Sequence, residues 1–201
     1  MGMAKPRATA RRKAAKAEPS AAKATLGDGP VDGGTEHSGH LIVGIGASAG
    51  GLDAFRAFFS QMPVDSGMAF VLVQHLDPDY KSALAEIIGE CTAMPVLQAS
   101  DGTVAAPNTI AVIPQNAILR IEGGVLRVAP PESPTARRSS IDTFLVSLAE
   151  DQGENAVGII LSGFGSDGTL GIEAIKEAGG LTLSEAAFDH RAKFGMPQSA
   201  T

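Results

Sequence analysis

The stretch "LIVGIGASAGGLDAF", Leu41–Phe55, starts as a continuous apolar run with β-branched residues, breaks into glycines, and continues with apolar positions at helical spacing. That is the pattern of a buried parallel strand followed by a tight turn and a helix. The turn admits two readings. Gly44, Gly46 and Ala49 fit the dinucleotide pattern G-x-G-x-x-G/A, in which backbone N–H groups cradle a pyrophosphate. Gly46, Ser48 and Gly50 fit the elbow G-x-S-x-G, in which a serine stands exposed at the top of a strand.

From this stretch onward, strand-like and helix-like patterns alternate. Residues 68–74, "MAFVLVQ", read as a second buried strand with His75 just past its end. Asp77 followed by Pro78 reads as the cap and first position of a helix over about residues 78–91. "PVLQAS" and "TIAVIP" read as shorter strands. "AILRIEGGVLRVAP" alternates about Gly123-Gly124 as a β-hairpin, and "PPESPTARR" reads as a loop. A helix is expected from Ser139 or Ser140 to about Gln152, a buried strand over 156–162, a helix over 169–178 and a last strand in "LTLSEA". The expected fold is α/β, a doubly wound and mostly parallel sheet with helices on both faces and an antiparallel hairpin at one edge. Composition agrees: 44% of residues are hydrophobic but only 4% aromatic, with no Trp, so the core is aliphatic.

The charge divides the chain. Up to Leu26 there are seven basic residues and one acidic; the remainder carries nine basic and 21 acidic. Few large apolar side chains occur before residue 39, so that segment has little to bury against its ordering entropy and is expected to be a disordered basic tail, with the folded domain over 40–201. Such a tail suits loose contact with RNA or anionic lipid, but no pattern for specific nucleic-acid recognition is present. No run is long enough to suggest insertion in a membrane and no signal-peptide core is seen, so a cytoplasmic setting is expected. The single cysteine, Cys91, excludes an internal disulfide and is expected to be a buried thiol. His37 and His40 have an H-x-x-H spacing without further ligand types around them, and no metal is expected there.

In open α/β sheets, sites form outside the carboxyl ends of the strands. Three expected strands end in, or run into, a group able to do chemistry: Ser48, His75 and Asp167. An imidazole can take a serine proton near neutral pH, and a carboxylate can fix the imidazole tautomer and stabilise the imidazolium. Each residue also has a plainer reading. Ser48 can cap the following helix, His75 can be a hydrogen-bonded histidine at a strand end, and Asp167 can sit in a glycine turn. The nucleotide reading is the weaker one, because Gln74-His75 stands where a ribose-binding carboxylate belongs.

"GIGASAGG", "VLVQHLDPDY", "SSID", "LSGFGSDGTLGIEAIKEAGG" and "KFGMPQSA" occur in the order seen in the CheB methylesterase domain, and the chain resembles that family from about Leu41 to Thr201, with greatest similarity to modules fused to a CheR methyltransferase. The resemblance implies a serine hydrolase that removes methyl groups from glutamyl methyl esters of chemoreceptors, with glutamine deamidation as related chemistry. It implies Ser48 as nucleophile, His75 as base and Asp167 as orienting carboxylate, no metal or organic cofactor, and as partners the methylated cytoplasmic helices of a receptor and a CheR-type methyltransferase. The chain departs from the family pattern at Ala49, where threonine is usual, and at Phe164, where methionine is usual. On the resemblance, the basic tail is expected to stand where the family has its receiver domain, and the chain is expected to stop short of the segment that normally closes the domain, either as a piece of a longer protein or with its last elements missing. The alternative is a degenerate signalling module of the same fold with little activity.

The tail reading makes a direct prediction. Deleting residues 1–38 leaves the melting temperature of the folded domain almost unchanged, and a loss of several degrees in a thermal melt would show that the tail packs on the core.

Overall fold

A computed structural model describes residues 39–48, 51–75, 83–161 and 166–185. The basic tail, Ala49, the segment 76–82 holding Asp77-Pro78, Phe164 and "KFGMPQSA" lie outside the described residues.

The opening stretch forms the expected unit: β1 (Ile42–Ala47) is buried throughout and α1 (Gly51–Gln61) follows. The elements after it are β2 (Ala69–Gln74), α2 (Leu84–Gly89), β3 (Val96–Gln98), β4 (Thr103–Val104), β5 (Thr109–Val112), β6 (Ile118–Glu122), β7 (Val125–Ala129), α3 (Pro134–Arg138), α4 (Ser140–Gln152), β8 (Ala156–Ile160), α5 (Thr169–Glu177) and β9 (Leu181–Ser184). Six strands form one sheet in the order β3-β5-β2-β1-β8-β9, and every described pairing in it is parallel. The chain leaves β1 toward β2 on one side and later returns to place β8 on the other. β1 and β8 therefore flank the point where the winding direction reverses, the position at which open α/β sheets build their sites.

Each face of the sheet has its own core. Val43, Ile45 and Ala47 point to one face and pack with Phe55 and Phe59 of α1 and Ile88 of α2. Phe59 and Phe70 meet edge-to-face with ring centroids 5.4 Å apart. Ile42 points to the other face with Phe144, Leu145 and Leu148 of α4 and Ile172 and Ile175 of α5. Side chains alternate along a strand, so Gly44 and Gly46 face α4. A Cβ at Gly44 would lie 2.6 Å from Leu145 Cδ2, and one at Gly46 would collide with Ile141 Cγ2. These two glycines are present because α4 lies almost against the strand, which brings the helix N-terminus to the carboxyl end of β1.

Three expectations from the sequence are refined. The hairpin β6–β7 forms as expected, about Gly123-Gly124, but joins β4 in a separate three-stranded antiparallel sheet rather than extending the main one. That small sheet sits under α4, where the Ser147 hydroxyl accepts the Ile121 N–H at 3.1 Å. The loop "PPESPTARR" contains the short helix α3: Ser133 accepts the Ala136 N–H at 3.1 Å and Pro134 takes the first helical position, a cap-and-proline signal that the glutamate and prolines around it obscured. Cys91 is half-buried rather than buried, just past α2, with its thiol donating to the Ile87 carbonyl at 3.3 Å. His40 bonds the Ala105 carbonyl through Nε2 at 2.9 Å.

Because α4 has no room to retreat, Gly46→Val should destabilise the domain by about 1–3 kcal/mol or more through overpacking. Urea unfolding reads this directly, and an unchanged midpoint would show that α4 can shift away from β1.

Candidate active site

Ser48, His75 and Asp167 stand beyond the carboxyl ends of β1, β2 and β8, three adjacent strands. The register makes this a consequence of pairing. Ala47 lies opposite Gln74, and the His75 N–H donates to the Ala47 carbonyl at 3.4 Å, so His75 is in step with Ser48. On the other side Gly46 lies opposite Ile160. Ser48 is only 6% exposed. Its backbone carbonyl accepts the Gly51 N–H at 2.9 Å and the Gln74 side-chain amide at 3.3 Å, which pins the turn from within and from the neighbouring strand.

The structure brings His75 and Asp167 into direct contact: His75 Nε2 and Asp167 Oδ2 are 2.6 Å apart. The carboxylate is itself held by backbone donors. Oδ2 accepts the Ile141 N–H at 3.0 Å, and Oδ1 accepts the N–H groups of Asp142 at 2.9 Å and Gly168 at 3.0 Å. Ile141 and Asp142 are in the first turn of α4, whose N-cap Ser139 makes no side-chain cap bond. The serine expected to start this helix therefore does not cap it; the carboxylate of Asp167, 25 and 26 residues away, does so. An anion at that place satisfies N–H groups left open by the helix and meets the positive end of its dipole.

The exchange is mutual. Asp142 Oδ1 accepts the Gly171 N–H at 2.9 Å, in the first turn of α5, whose N-cap is the side-chain-free Gly168. Each of two helices thus receives its cap from an aspartate belonging to the other side of the pair. Burial first, then the neighbouring charge of Asp167, hold the Asp142 carboxyl above the ordinary aspartate range, against the lowering effect of the Gly171 N–H. The sequence alone does not single out Asp142. It lies inside "SSID", a segment readable as a helix start, but the partner that makes it a cap is remote in the chain.

A cleft of about 190 Å³ opens beside His75, lined also by Gln74, Ile113, Asn116, Arg137, Arg138 and Ser140. Its cationic rim is not visible in the sequence, where the α3 segment reads as a loop. Among the described residues no group of three or more His, Cys, Asp or Glu is placed to hold a metal, and none of the helices is long and apolar enough to cross a membrane.

The chain is an α/β domain with serine, histidine and aspartate beyond the carboxyl ends of three adjacent strands. The chain matches the family model described as CheB methylesterase over residues 43–201, and it belongs to that family. It is 32% identical over 200 residues to a protein-glutamate methylesterase/protein-glutamine glutaminase of Salmonella choleraesuis, covering 98% of this chain and 55% of that protein. A protein of the same description from Geobacillus kaustophilus is 34% identical over 163 residues, covering 79% of this chain and 47% of its own length. The chain thus spans about half the length of the curated relatives it matches. The crystal structure of the Thermotoga maritima CheB methylesterase catalytic domain superposes with a TM-score of 0.70 at 27% identity, covering 81% of this chain and 88% of that one.

The two aspartates can be separated by substitution. Asp142→Ala removes the acceptor for Gly171 and should cost about 0.5–2 kcal/mol, as loss of a helix cap does. Asp142→Asn keeps an acceptor and removes the charge beside Asp167. A carboxyl raised by folding contributes stability that is present at low pH and lost as pH rises through its folded value. Asp142→Asn should therefore flatten the fall in stability above pH ~4, the ordinary aspartate value. Chemical denaturation across pH checks it, and parallel curves for wild type and Asp142→Asn would show that the raised carboxyl has no part in the pH response.

Proposed function

We propose that this domain hydrolyses glutamyl methyl esters on chemoreceptor signalling helices, with Ser48 as nucleophile, His75 as general base and Asp167 as the group that orients it. The observation that carries this reading is the 2.6 Å contact between His75 and a carboxylate fixed by three backbone N–H groups. An ionised carboxylate only accepts hydrogen bonds. Nε2 of His75 then carries the proton, and Nδ1 presents the lone pair that can take the Ser48 proton. Serine oxygen bonds to the ester carbonyl carbon, the tetrahedral oxyanion collapses, and methanol leaves with the proton returned by His75. Water, deprotonated by the same nitrogen, adds to the acyl-serine, and its collapse frees Ser48 and a glutamate side chain. Backbone N–H groups around the serine turn are the donors suited to the oxyanion.

The relatives' full description includes glutaminase activity. The same steps on a glutamine side chain expel ammonia instead of methanol, so deamidation needs no further residue. The substrate side chain sits on a cytoplasmic receptor helix in this reading, with a CheR-type methyltransferase as the source of the ester.

The test is a set of variants on one methyl-ester peptide, with a fluorophosphonate probe for the serine. Ser48→Ala and His75→Ala should each lose at least about 10³-fold in turnover, and their combination should be no worse than the worse single, because the residues act as a unit. Probe labelling should vanish in both. Asp167→Asn should lose turnover through the wrong tautomer, about 10⁴-fold in the serine-protease case. Here it should also lower the melting temperature, since an amide nitrogen would face backbone donors now bonded to Oδ1 or Oδ2. Wild-type turnover in His75→Ala would show that the base is another residue; absence of labelling and turnover in the wild type would leave the degenerate module as the reading.

A further inference from the structure

The cleft beside His75 carries two positive charges that the proposed reaction does not use. From Gly27 onward the chain has nine basic residues against 21 acidic, yet Arg137 and Arg138, adjacent in sequence, both line this cleft. Among the described residues neither guanidinium has a carboxylate partner; the described arginine ion pairs are Arg56–Asp53 and Arg127–Glu122. Arg137 is held in place by a neutral group instead: its Nη2 donates to Asn116 Oδ1 at 2.6 Å, from the loop between β5 and β6. Its Nε is buried and has no acceptor among the described residues. A buried N–H on a charged group, without an acceptor, is costly unless something supplies one. A fixed planar fork with donors to spare is the form in which proteins recognise carboxylates.

We infer that Arg137 and Arg138 make this cleft a subsite for a carboxylate flanking the reacting side chain, so that the enzyme prefers ester groups set in acidic peptide segments. The inference rests on the proposed esterase reading and deepens it. Each turnover on that reading converts a neutral ester to a glutamate. A segment with several target side chains gains a carboxylate with every turnover, and a neighbouring ester on it becomes a better substrate. The subsite thereby couples successive hydrolyses on one segment without any contact between the ester itself and an arginine.

The experiment uses synthetic peptides carrying one glutamyl methyl ester, flanked by glutamate at helical neighbours in one and by glutamine in the other. At low salt the wild-type chain should favour the glutamate-flanked peptide by about tenfold in kcat/KM, the size of one charge-assisted contact, and the difference should lie in KM. Raising ionic strength should shrink that ratio. Arg137→Gln/Arg138→Gln should bring it near one, and Arg137→Glu/Arg138→Glu should turn the preference toward a lysine-flanked peptide. Equal kcat/KM for the two peptides with the wild type, at low salt, overturns the subsite while leaving the esterase intact. Lack of turnover of either peptide, with no fluorophosphonate labelling of Ser48, overturns the esterase reading and this inference with it. The salt dependence needs no variant, so the conclusion stands apart from whether the substituted chains fold.

Discussion

The carboxylate of Asp167 has four nitrogens around it: three backbone N–H groups that donate to it and the Nε2 of His75. Three of the four are fixed by the fold before any substrate arrives. The α4 N-terminus supplies two of them, so the carboxylate is held at the helix end in the place where it meets His75. Much of the rest follows from bringing that helix end to the carboxyl edge of β1. Gly44 and Gly46 remove the Cβ atoms that would keep α4 away. The small antiparallel sheet supports α4 from beneath through Ser147. Gly171 takes the cap that Asp142 returns, and a Cβ there would strike Leu145 Cβ, so α5 is drawn onto α4 as α4 is drawn onto the sheet.

This arrangement answers the question raised by the opening glycines. Gly44 and Gly46 are common to both the phosphate pattern and the serine-elbow pattern, and in the structure they serve helix packing. Their discriminating power between the two readings is therefore small. What distinguishes the readings is the next strand: β2 ends in Gln74-His75, with Gln74 bracing the Ser48 turn and His75 bound to Asp167. A carboxylate at that strand end, the nucleotide signature, would face Asp167 across the position His75 now fills and repel it.

The strands and helices of the main sheet were legible because each is a local pattern: continuous apolar runs for β1, β2 and β8, a 3.6 period for α1 and α5. The three strand-end residues were legible for the same reason, since a strand's end can be read from where its apolar run stops. The association of β4 with the hairpin was not legible, because β4 is two residues long and its pairing with β7 is non-local. The capping exchange between Asp142 and Asp167 was not legible either. Serine before a helix is the preferred local cap, and nothing in the sequence near Ser139 says that a remote carboxylate has taken its place. Arg137 and Arg138 look like a solvated charge run until Ser133 and Pro134 turn the segment into a helix that carries them to the cleft.

The order of the strands also explains why the far imidazole nitrogen meets Asp167. In the serine-protease arrangement the carboxylate bonds Nδ1 and the serine faces Nε2. Here the carboxylate has Nε2. His75 rises from the end of β2, Ser48 from β1 beside it, and Asp167 from beyond β8, one strand further away. Neighbouring strands are about 4.8 Å apart, so the carboxylate starts from roughly twice the lateral distance of the serine. Nδ1 is attached to Cγ and stays near the histidine's own backbone; Nε2 is at the far side of the ring. The near nitrogen is thus matched to the adjacent strand and the far nitrogen to the strand beyond it. On the proposed reaction the exchange of roles costs nothing chemically, because both nitrogens belong to one conjugated ring and a proton held at either leaves the lone pair on the other. The proposed reaction needs a carboxylate on one nitrogen and a hydroxyl on the other, and the sheet order suits Nε2 to the carboxylate.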